Sequence, residues 1–266
     1  MEVDIHYQET AGKNADKKYQ ERNKYKRKII GVDKAITITE KKLLELTAEI
    51  KETKDKMVYS KRIDVAKKWY SKFRWFFTSN GFLVVAGRDA KNNEQLVKKH
   101  MSDEDLYFHA EIHGAPHTVL KNPDKKEIPD KDRAEAASFA GMFSSAWKSK
   151  IFAVDVYSVA PDQVSKTANT GESVGTGAFV IRGKREYFKK INLKLAVGYN
   201  KETGLVSGPV EPIKQQSPFI ITVSPGDEKK SDIVREIKQR LEKKGVLVST
   251  EDIDSILPPG DSKLEK

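Results

Sequence analysis

The sequence of 266 residues contains no cysteine, which excludes disulfide bonds and metal sites built on thiolates. It also has no run of about 18 apolar residues, so we expect no helix that spans a membrane. The first residues, Met1 to His6, are acidic and polar and lack the basic and apolar blocks of a signal peptide. We therefore expect a cytoplasmic protein that works without disulfides or membrane insertion.

The excess of positive charge is uneven along the chain. The formal net charge is +10, and residues 1–72 hold 19 Lys and Arg against 12 Asp and Glu, whereas the other 194 residues hold 30 against 27. A basic arm on a nearly balanced body suggests a polyanionic partner, either nucleic acid or an acidic membrane surface. Solubility, or adaptation to high temperature through Lys and Glu, would give the same composition.

A heptad repeat runs through residues 12–64, which are almost free of glycine and proline. Apolar a positions are Ile29, Ile36, Leu43, Ile50 and Met57, and the d positions are Tyr25, Val32, Thr39, Leu46 and Thr53. This spacing predicts a long helix in a coiled coil, with residues 1–64 as an arm. The seam needs a second helix, from another copy, another protein or a part of the gene product that this chain lacks.

Short apolar runs separated by polar turns predict an α+β body with a largely antiparallel sheet. Asn80-Gly81 predicts a hairpin, and Asp89 predicts the N-cap of a helix from about residue 90 to 101. Phe139, Met142, Phe143, Ala146 and Trp147 form the apolar stripe of one further helix. A stretch rich in glycine and proline follows Tyr199, and the chain is expected to end in a frayed tail.

Three histidines, His109, His113 and His117, recur every four residues. On one helix this spacing would form a metal-binding face. The segment instead reads as two strands broken by Gly114 to Pro116, so a place in the core or facing RNA is the better interpretation.

Two glycine patterns in residues 171–177 also fail as catalytic or cofactor motifs. The run Gly171 to Gly175 matches a nucleophile elbow, but it lacks the buried strand before it and the helix after it. The same glycines do not fit the dinucleotide fingerprint, because no strand precedes them. We therefore expect no catalytic residue, no metal and no cofactor.

The loop from Gln163 to Gly177 is rich in Lys, Thr, Ser and Gly, and the basic turn Arg182-Gly183-Lys184-Arg185 follows it. Free backbone amides, hydroxyl groups and nearby cations together could hold phosphate groups. A flexible loop beside a solvated turn remains the simpler alternative.

Several long segments, taken in order, resemble the NFACT RNA-binding domain of the ribosome quality control factor family, called RqcH in prokaryotes and NEMF in animals. The segments are residues 69–76, 80–84, 87–94, 105–109, 113–115, 161–172 and 182–184. Gly208 to Val210 and Pro225 to Asp227 resemble the archaeal branch. The resemblance places the RNA-binding domain at residues 65–200 and a C-terminal extension, with a strand and a helix packed on the domain, at 201–266.

The resemblance implies a factor that binds the large ribosomal subunit and tRNA after a stalled ribosome splits, and that supports C-terminal alanine tailing of nascent chains. Its expected partners are ribosomal RNA, tRNA and a coiled-coil helix. The N-terminal tRNA-contacting domain of the full-length family members has no counterpart in this sequence. The residues expected to contact RNA are Arg88, Asn92, Asn93, His109, His113, Lys166, Thr170, Arg182, Lys184 and Arg185.

Two other functions remain open from the residues alone. One is a nucleic-acid-processing enzyme that uses His109 and His113. The other is a protein-interaction adaptor whose coiled-coil seam recruits another helix.

Overall fold

A computed structural model describes residues 6–56, 68–167 and 174–265, with side chains in the first helix described as far as Thr47. The chain divides between residues 57 and 58 into two units. The fold is α+β, as the sequence predicts, and the strand pairs in the described ranges are antiparallel. No helix in these ranges is long and apolar enough to cross a membrane.

The N-terminal unit contains one long helix, α1 (Ala11–Lys56), which confirms the predicted helix over these residues. The final predicted stretch, residues 57–64, lies outside the described residues. The heptad side chains are exposed: Ile29 keeps 60% of its surface accessible, Ile36 49% and Leu43 63%. An isolated helix cannot bury such a stripe, and this one has no cover within the described part of the unit.

The C-terminal unit is built on a six-stranded sheet with the order β1-β2-β4-β3-β5-β8. Its strands are β1 (Arg74–Phe77), β2 (Leu83–Ala86), β3 (Leu106–Ala110), β4 (Thr118–Leu120), β5 (Ala153–Val159) and β8 (Glu186–Asn192). Two short strands, β6 (Val164–Ser165) and β7 (Val180–Ile181), pair as a separate ribbon. The predicted hairpin at Gly81, where φ is +85°, is confirmed between β1 and β2.

Each face of this sheet packs against different elements. Phe108 and Val156 point to the face covered by α3 (Asp130–Met142) and enter the main core with Phe139. The opposite face is covered by a 3-10 turn at Trp69–Lys72, by α2 (Ala90–His100) and by the β6–β7 ribbon. Asp89 caps α2 as predicted, because its carboxylate accepts from the amide of Asn92 at 2.8 Å.

A second sheet of four strands has the order β10-β9-β11-β12. Its strands are β9 (Leu195–Asn200), β10 (Gly204–Gly208), β11 (Ile220–Glu228) and β12 (Ser262–Leu264). The accompanying helices are α4 (Ser145–Lys148), α5 (Val210–Gln216), α6 (Lys230–Lys243) and α7 (Thr250–Ile256). Because β9 pairs with β10 and β11, the predicted division at residue 200 falls within this sheet.

Two details of the predicted body are wrong. The apolar stripe from Phe139 to Trp147 belongs to two helices, since α3 ends at Met142 and Ser144 caps α4 by accepting from the amide of Ala146. The C-terminal tail does not fray over its described part, because β12 pairs with β11 and the indole of Trp147 donates to Ser262 Oγ at 3.0 Å.

Candidate nucleic-acid interface

A row of four rings crosses the six-stranded sheet on the face that α2 and the ribbon cover. His109 lies opposite Tyr157 in the strand register, and Tyr157 lies opposite Tyr187. His117, one residue before β4, continues the row on the other side of His109. Neighbouring ring centroids are 5.2 Å, 5.9 Å and 6.1 Å apart, so the four rings form one continuous strip, which we call the ring row.

Hydrogen bonds fix His117, which is the ring at one end of the ring row. The Nδ1 atom of His117 lies 2.5 Å from the hydroxyl of Tyr107, and the backbone amide of His117 donates to Asn93 Oδ1 at 3.1 Å. Burial, with a smaller effect of His109, lowers the pKa of His117 to about 3. Burial also lowers the pKa of His109 and raises that of Tyr157. These rings are therefore uncharged near neutral pH.

Residues 161–167 and 174–185, which we call the strap, pack on the same face beside the ring row. Val164, Phe179 and Ile181 contact the cluster of Tyr107 and Tyr157. The strap contains most of the loop, residues 163–177, that the sequence predicts to hold phosphate groups. Residues 168–173, at the centre of this loop, lie outside the described ranges. Thr170, one of the expected RNA contacts, belongs to that part.

Glu94 of α2 ties the strap to the helix. Its carboxylate accepts from Lys98 at 2.6 Å and from the amide of Gly177 at 2.8 Å, and Lys166 Nζ lies 3.3 Å away. Lys98, Gly177 and Lys166 together lower the pKa of Glu94 to about 2. Gly177 has φ +78°, and a Cβ there would lie 2.6 Å from the carbonyl oxygen of Ala90. The contact therefore requires glycine.

The basic turn after β7 is held by one side chain. Gln163 Nε2 donates to the carbonyls of Arg182 and Lys184 at 2.7 Å and 2.9 Å. Gly183, at φ +82°, permits this close approach, because a Cβ would lie 2.6 Å from Gln163 Nε2. The backbone of the turn is therefore held in one conformation by Gln163.

The four expected strap cations differ in how far their charge is neutralised. Lys166 is paired with Glu94, and Arg185 lies 3.6 Å from Glu111 Oε1. Both also lie over rings: Lys166 is 4.9 Å from the centroid of Phe179 and Arg185 is 4.4 Å from that of Tyr157.

The other two strap cations are more accessible. Arg182 donates to the carbonyl of Thr167 and is otherwise exposed. Lys184 is exposed, and its ammonium has no partner within the described ranges.

The other expected contact residues do not all gather at this site. Asn93 supports His117, and the Asn92 amide completes the α2 cap. Arg88 points elsewhere, since it donates to the carbonyls of Phe73 and Ser255. His113 is on an exposed turn, and its carbonyl accepts from Ser145.

The residues of this site that the sequence patterns do not identify are chiefly aromatic and acidic. Tyr157 and Tyr187 stand on strands at the same register as His109, and Glu94 and Glu111 pair with the strap cations. Tyr157 could have been found as the aromatic residue of β5 at a position that alternates with the core residues Val154 and Val156. Of the residues that the structure describes, no three His, Asp or Glu side chains gather as a metal ion would require.

Residues 72–183 match the family described as the NFACT protein RNA binding domain. The chain contains an NFACT RNA-binding domain. The β1–β2 hairpin, α2, the ring row and nearly all of the strap lie inside the matched range. The expected contacts Lys184 and Arg185 lie just beyond its end.

Curated relatives extend the NFACT match. The archaeal Rqc2 homolog aRqcH of Methanocaldococcus jannaschii is 39% identical over 216 residues, which cover 80% of this chain and 32% of that protein. The human ribosome quality control complex subunit NEMF is 35% identical over 185 residues, which cover 69% of this chain and 17% of that protein. The chain thus spans about a third of the archaeal relative and about a sixth of the human one.

A solved structure also aligns with the chain. It is the C-terminal part of the fibronectin/fibrinogen-binding protein from Streptococcus suis, with a TM-score of 0.40 and 19% identity. The alignment covers 79% of this chain and 81% of that one.

We predict that Gly177→Ala detaches the strap of the NFACT domain from α2. The new Cβ would strain a positive φ and collide with the backbone of Ala90, at a cost of about 1–3 kcal/mol. Hydrogen exchange at Val180 and Ile181 should become faster in this variant. Gly175→Ala is the matched control, because a Cβ at that position meets no atom within 4 Å. Equal exchange in both variants would contradict the assignment.

We also predict that the NFACT domain loses stability as the pH falls from 7 to 5, in part through His117. The unfolded chain protonates this imidazole near pH 6.5, whereas the folded domain does so only near pH 3. The free energy of unfolding should therefore fall by about 2 kcal/mol from this group. Urea titrations should give a flatter pH dependence for His117→Gln than for the parent chain. An unchanged slope would show that His117 is accessible to protons in the folded state.

Proposed function

We propose that this chain is the RNA-contacting part of a ribosome quality control factor. The strap and the ring row would hold the sugar–phosphate backbone of ribosomal RNA and tRNA on the large ribosomal subunit. The single observation that carries this proposal is the placement of the basic strap turn beside the half-buried ring of His109 and the exposed ring of Tyr187, on one face of an RNA-binding domain. Cations supply affinity for phosphates, and rings stack on unpaired bases.

The arrangement of charges favours binding by a few cations. Arg182 and Lys184 lie on a turn that Gln163 fixes, so their backbone positions are set before RNA arrives. Lys166 and Arg185 already have acidic partners, and they would gain less from a phosphate. Arg182 and Lys184 are therefore the principal phosphate contacts in this proposal.

The chemistry of the histidines favours binding over catalysis. A general base works best when its pKa lies near the working pH. Burial lowers the pKa of His109 below its usual value. The neighbouring His117 has a pKa of about 3, and its Nδ1 atom is occupied by the hydroxyl of Tyr107. We therefore propose that the domain does not act as an enzyme.

The wider role is supported by the relatives, since human NEMF is a subunit of the ribosome quality control complex and the archaeal relative is an Rqc2 homolog. Within a longer protein of this kind, the chain would help to position tRNA on the split large subunit while alanine is added to the nascent chain. The peptide transfer would then be the work of the ribosome.

We predict that the double variant Arg182→Gln/Lys184→Gln weakens binding to tRNA and to purified large ribosomal subunits. Loss of two phosphate contacts should make the negative slope of log K against log salt shallower by about 2. Fluorescence anisotropy over a salt series measures this slope, and co-sedimentation measures subunit binding.

The matched control for this experiment is Lys243→Gln/Lys244→Gln, which removes the same charge from exposed positions at the end of α6. It should keep most of the parent's affinity and salt slope. If both double variants behave alike, binding depends on net charge alone and the assigned turn is not the site.

The exposed stripe of α1 favours a second, compatible function as a coiled-coil arm. Ile29, Ile36 and Leu43 are spaced by seven residues and are all exposed in the isolated unit. We propose that a partner helix covers this stripe, either from a second copy or from the preceding part of a longer family protein.

We predict concentration-dependent association of the chain in sedimentation equilibrium if a second copy can cover α1. Ile36→Asn should weaken it, because it places an amide in the seam. Ile38→Asn is the control, since Ile38 is also exposed but lies outside the a and d positions. A chain that stays monomeric at every concentration would exclude a second copy as the covering helix.

A further inference from the structure

A second aromatic site lies at the hairpin end of the six-stranded sheet, away from the ring row. A cleft of about 400 Å³ is lined there by Trp69, Phe77, Phe82 and Leu83, with Asn80 and Lys126 at its polar side. This volume is within the range of about 300–1,000 Å³ that is typical of small-molecule sites. Neither the expected RNA contacts nor the strap contributes to its lining.

Trp69 is the most unusual residue of the cleft. Its indole stacks on the imidazole of His100, with ring centroids 4.3 Å apart and an interplanar angle of 13°. Tyr70 and Phe73 meet it edge-on. Despite these contacts 39% of Trp69 remains exposed, so a large, rigidly held aromatic surface faces solvent.

Positive charge surrounds this aromatic surface. Lys72 lies 5.2 Å from the ring centroid of Phe73, and Lys68 lies 5.8 Å from that of Tyr70. Burial lowers the pKa of His100, and the nearby charges of Lys72, Lys121 and Lys99 lower it further. Lys121 is neutralised by Asp105. Lys126, on the rim, is paired with Asp124 at 2.8 Å, so the free charge lies mainly with Lys68, Lys72 and Lys99.

The polar wall of the cleft is held in place from the opposite side of the sheet. The buried carboxylate of Asp132 on α3 accepts from the backbone amide of Asn80 at 3.2 Å and from its Nδ2 atom at 2.7 Å. Among the described residues no donor reaches Asn80 Oδ1. Asn80 therefore lines the cleft with a side-chain oxygen that no described protein donor uses.

The cleft and the strap lie on the same face of the sheet. Phe77 and Leu83 share the cluster of Val85 and Val119, and Val119 is the register partner of Tyr107 beneath the strap. Helix α2 runs between the two sites, since Leu96 packs in the first cluster and Val97 in the second. One strand of RNA could therefore contact both.

We propose that this cleft takes one unpaired nucleobase of the bound RNA, stacked on Trp69, with a base amino group donating to Asn80 Oδ1. The inference rests on the proposed function, because the same RNA must also reach the strap. Cations around a rigid indole favour RNA over an apolar peptide, since each phosphate next to the base carries a negative charge.

The test compares two single-stranded RNAs of equal length and phosphate number, one with all its bases and one with abasic ribose at the central positions. Fluorescence anisotropy with the full chain should show about fivefold to tenfold tighter binding of the RNA with bases. Trp69→Ala should lower this ratio to the part that stacking on the ring row supplies, while leaving the affinity for abasic RNA and the salt slope unchanged. Trp69→Phe should keep most of the ratio.

Phe152→Ala is the matched control, because Phe152 is an exposed aromatic residue outside the cleft and next to Lys263. It should keep the parent's ratio. Binding of abasic RNA by Trp69→Ala also shows that this variant is folded. A parent chain that does not distinguish the two RNAs, or a Trp69→Ala variant that keeps the parent's ratio, would overturn the cleft assignment.

The outcomes also separate the cleft from the proposed function. The variant Arg182→Gln/Lys184→Gln should weaken binding of both RNAs equally and keep their ratio. If it has no effect while Trp69→Ala lowers the ratio, the cleft stands and the strap assignment fails. If it weakens both RNAs and Trp69→Ala does nothing, the reverse holds. A parent chain that binds neither RNA would overturn both.

Discussion

The alternation of side chains along the six-stranded sheet is the constraint on which both the core and the candidate interface depend. Phe108 and Val156 enter the main core, and the residues that follow them, His109 and Tyr157, stand on the opposite face. A slip of one residue in either strand would bury a polar ring and expose a core side chain. The packing of α3 therefore fixes the register, and the register assembles the ring row.

Much of this fold could be predicted from the sequence, because local signals agreed with the final structure. The heptads of α1, the Asp89 cap and the hairpin at Gly81 are all short-range features. Strand β8 was missed because Phe188 and Ile191, its two side chains that pack on the core, are three residues apart. A register irregularity opposite β5 and a positive φ at Lys190 break the period of two.

Helix α5 and strand β12 escaped prediction for different reasons. The proline at position 212 is in the first turn of α5, where its missing amide would have no intrahelical partner, so proline does not exclude a helix there. Strand β12 is ordered by contacts with residues far away in the sequence, including the bond between Trp147 and Ser262, which spans 115 residues. The composition of this segment alone predicts a frayed tail.

The candidate site was harder to predict than the fold, because its charges are set by long-range pairs. The sequence identified the basic turn, yet only the structure reveals that Glu94, 72 residues before Lys166, holds both that lysine and the amide of Gly177. This pairing neutralises part of the positive charge of the strap, and it also fixes the position of the strap on α2. A cation that is already paired adds little affinity for phosphate, whereas a fixed backbone reduces the entropy lost on binding.

The interface therefore relies on few free charges and on rings that the sheet holds in place. Burial disfavours protonation of His109 and His117, so both imidazoles are uncharged at neutral pH. The accessible rings of the row, His109 and Tyr187, present stacking and hydrogen-bonding surfaces there. Phosphate contacts weaken as salt rises, but stacking on rings depends on salt much less. A surface of this composition would therefore keep part of its affinity at salt concentrations that release a purely basic patch.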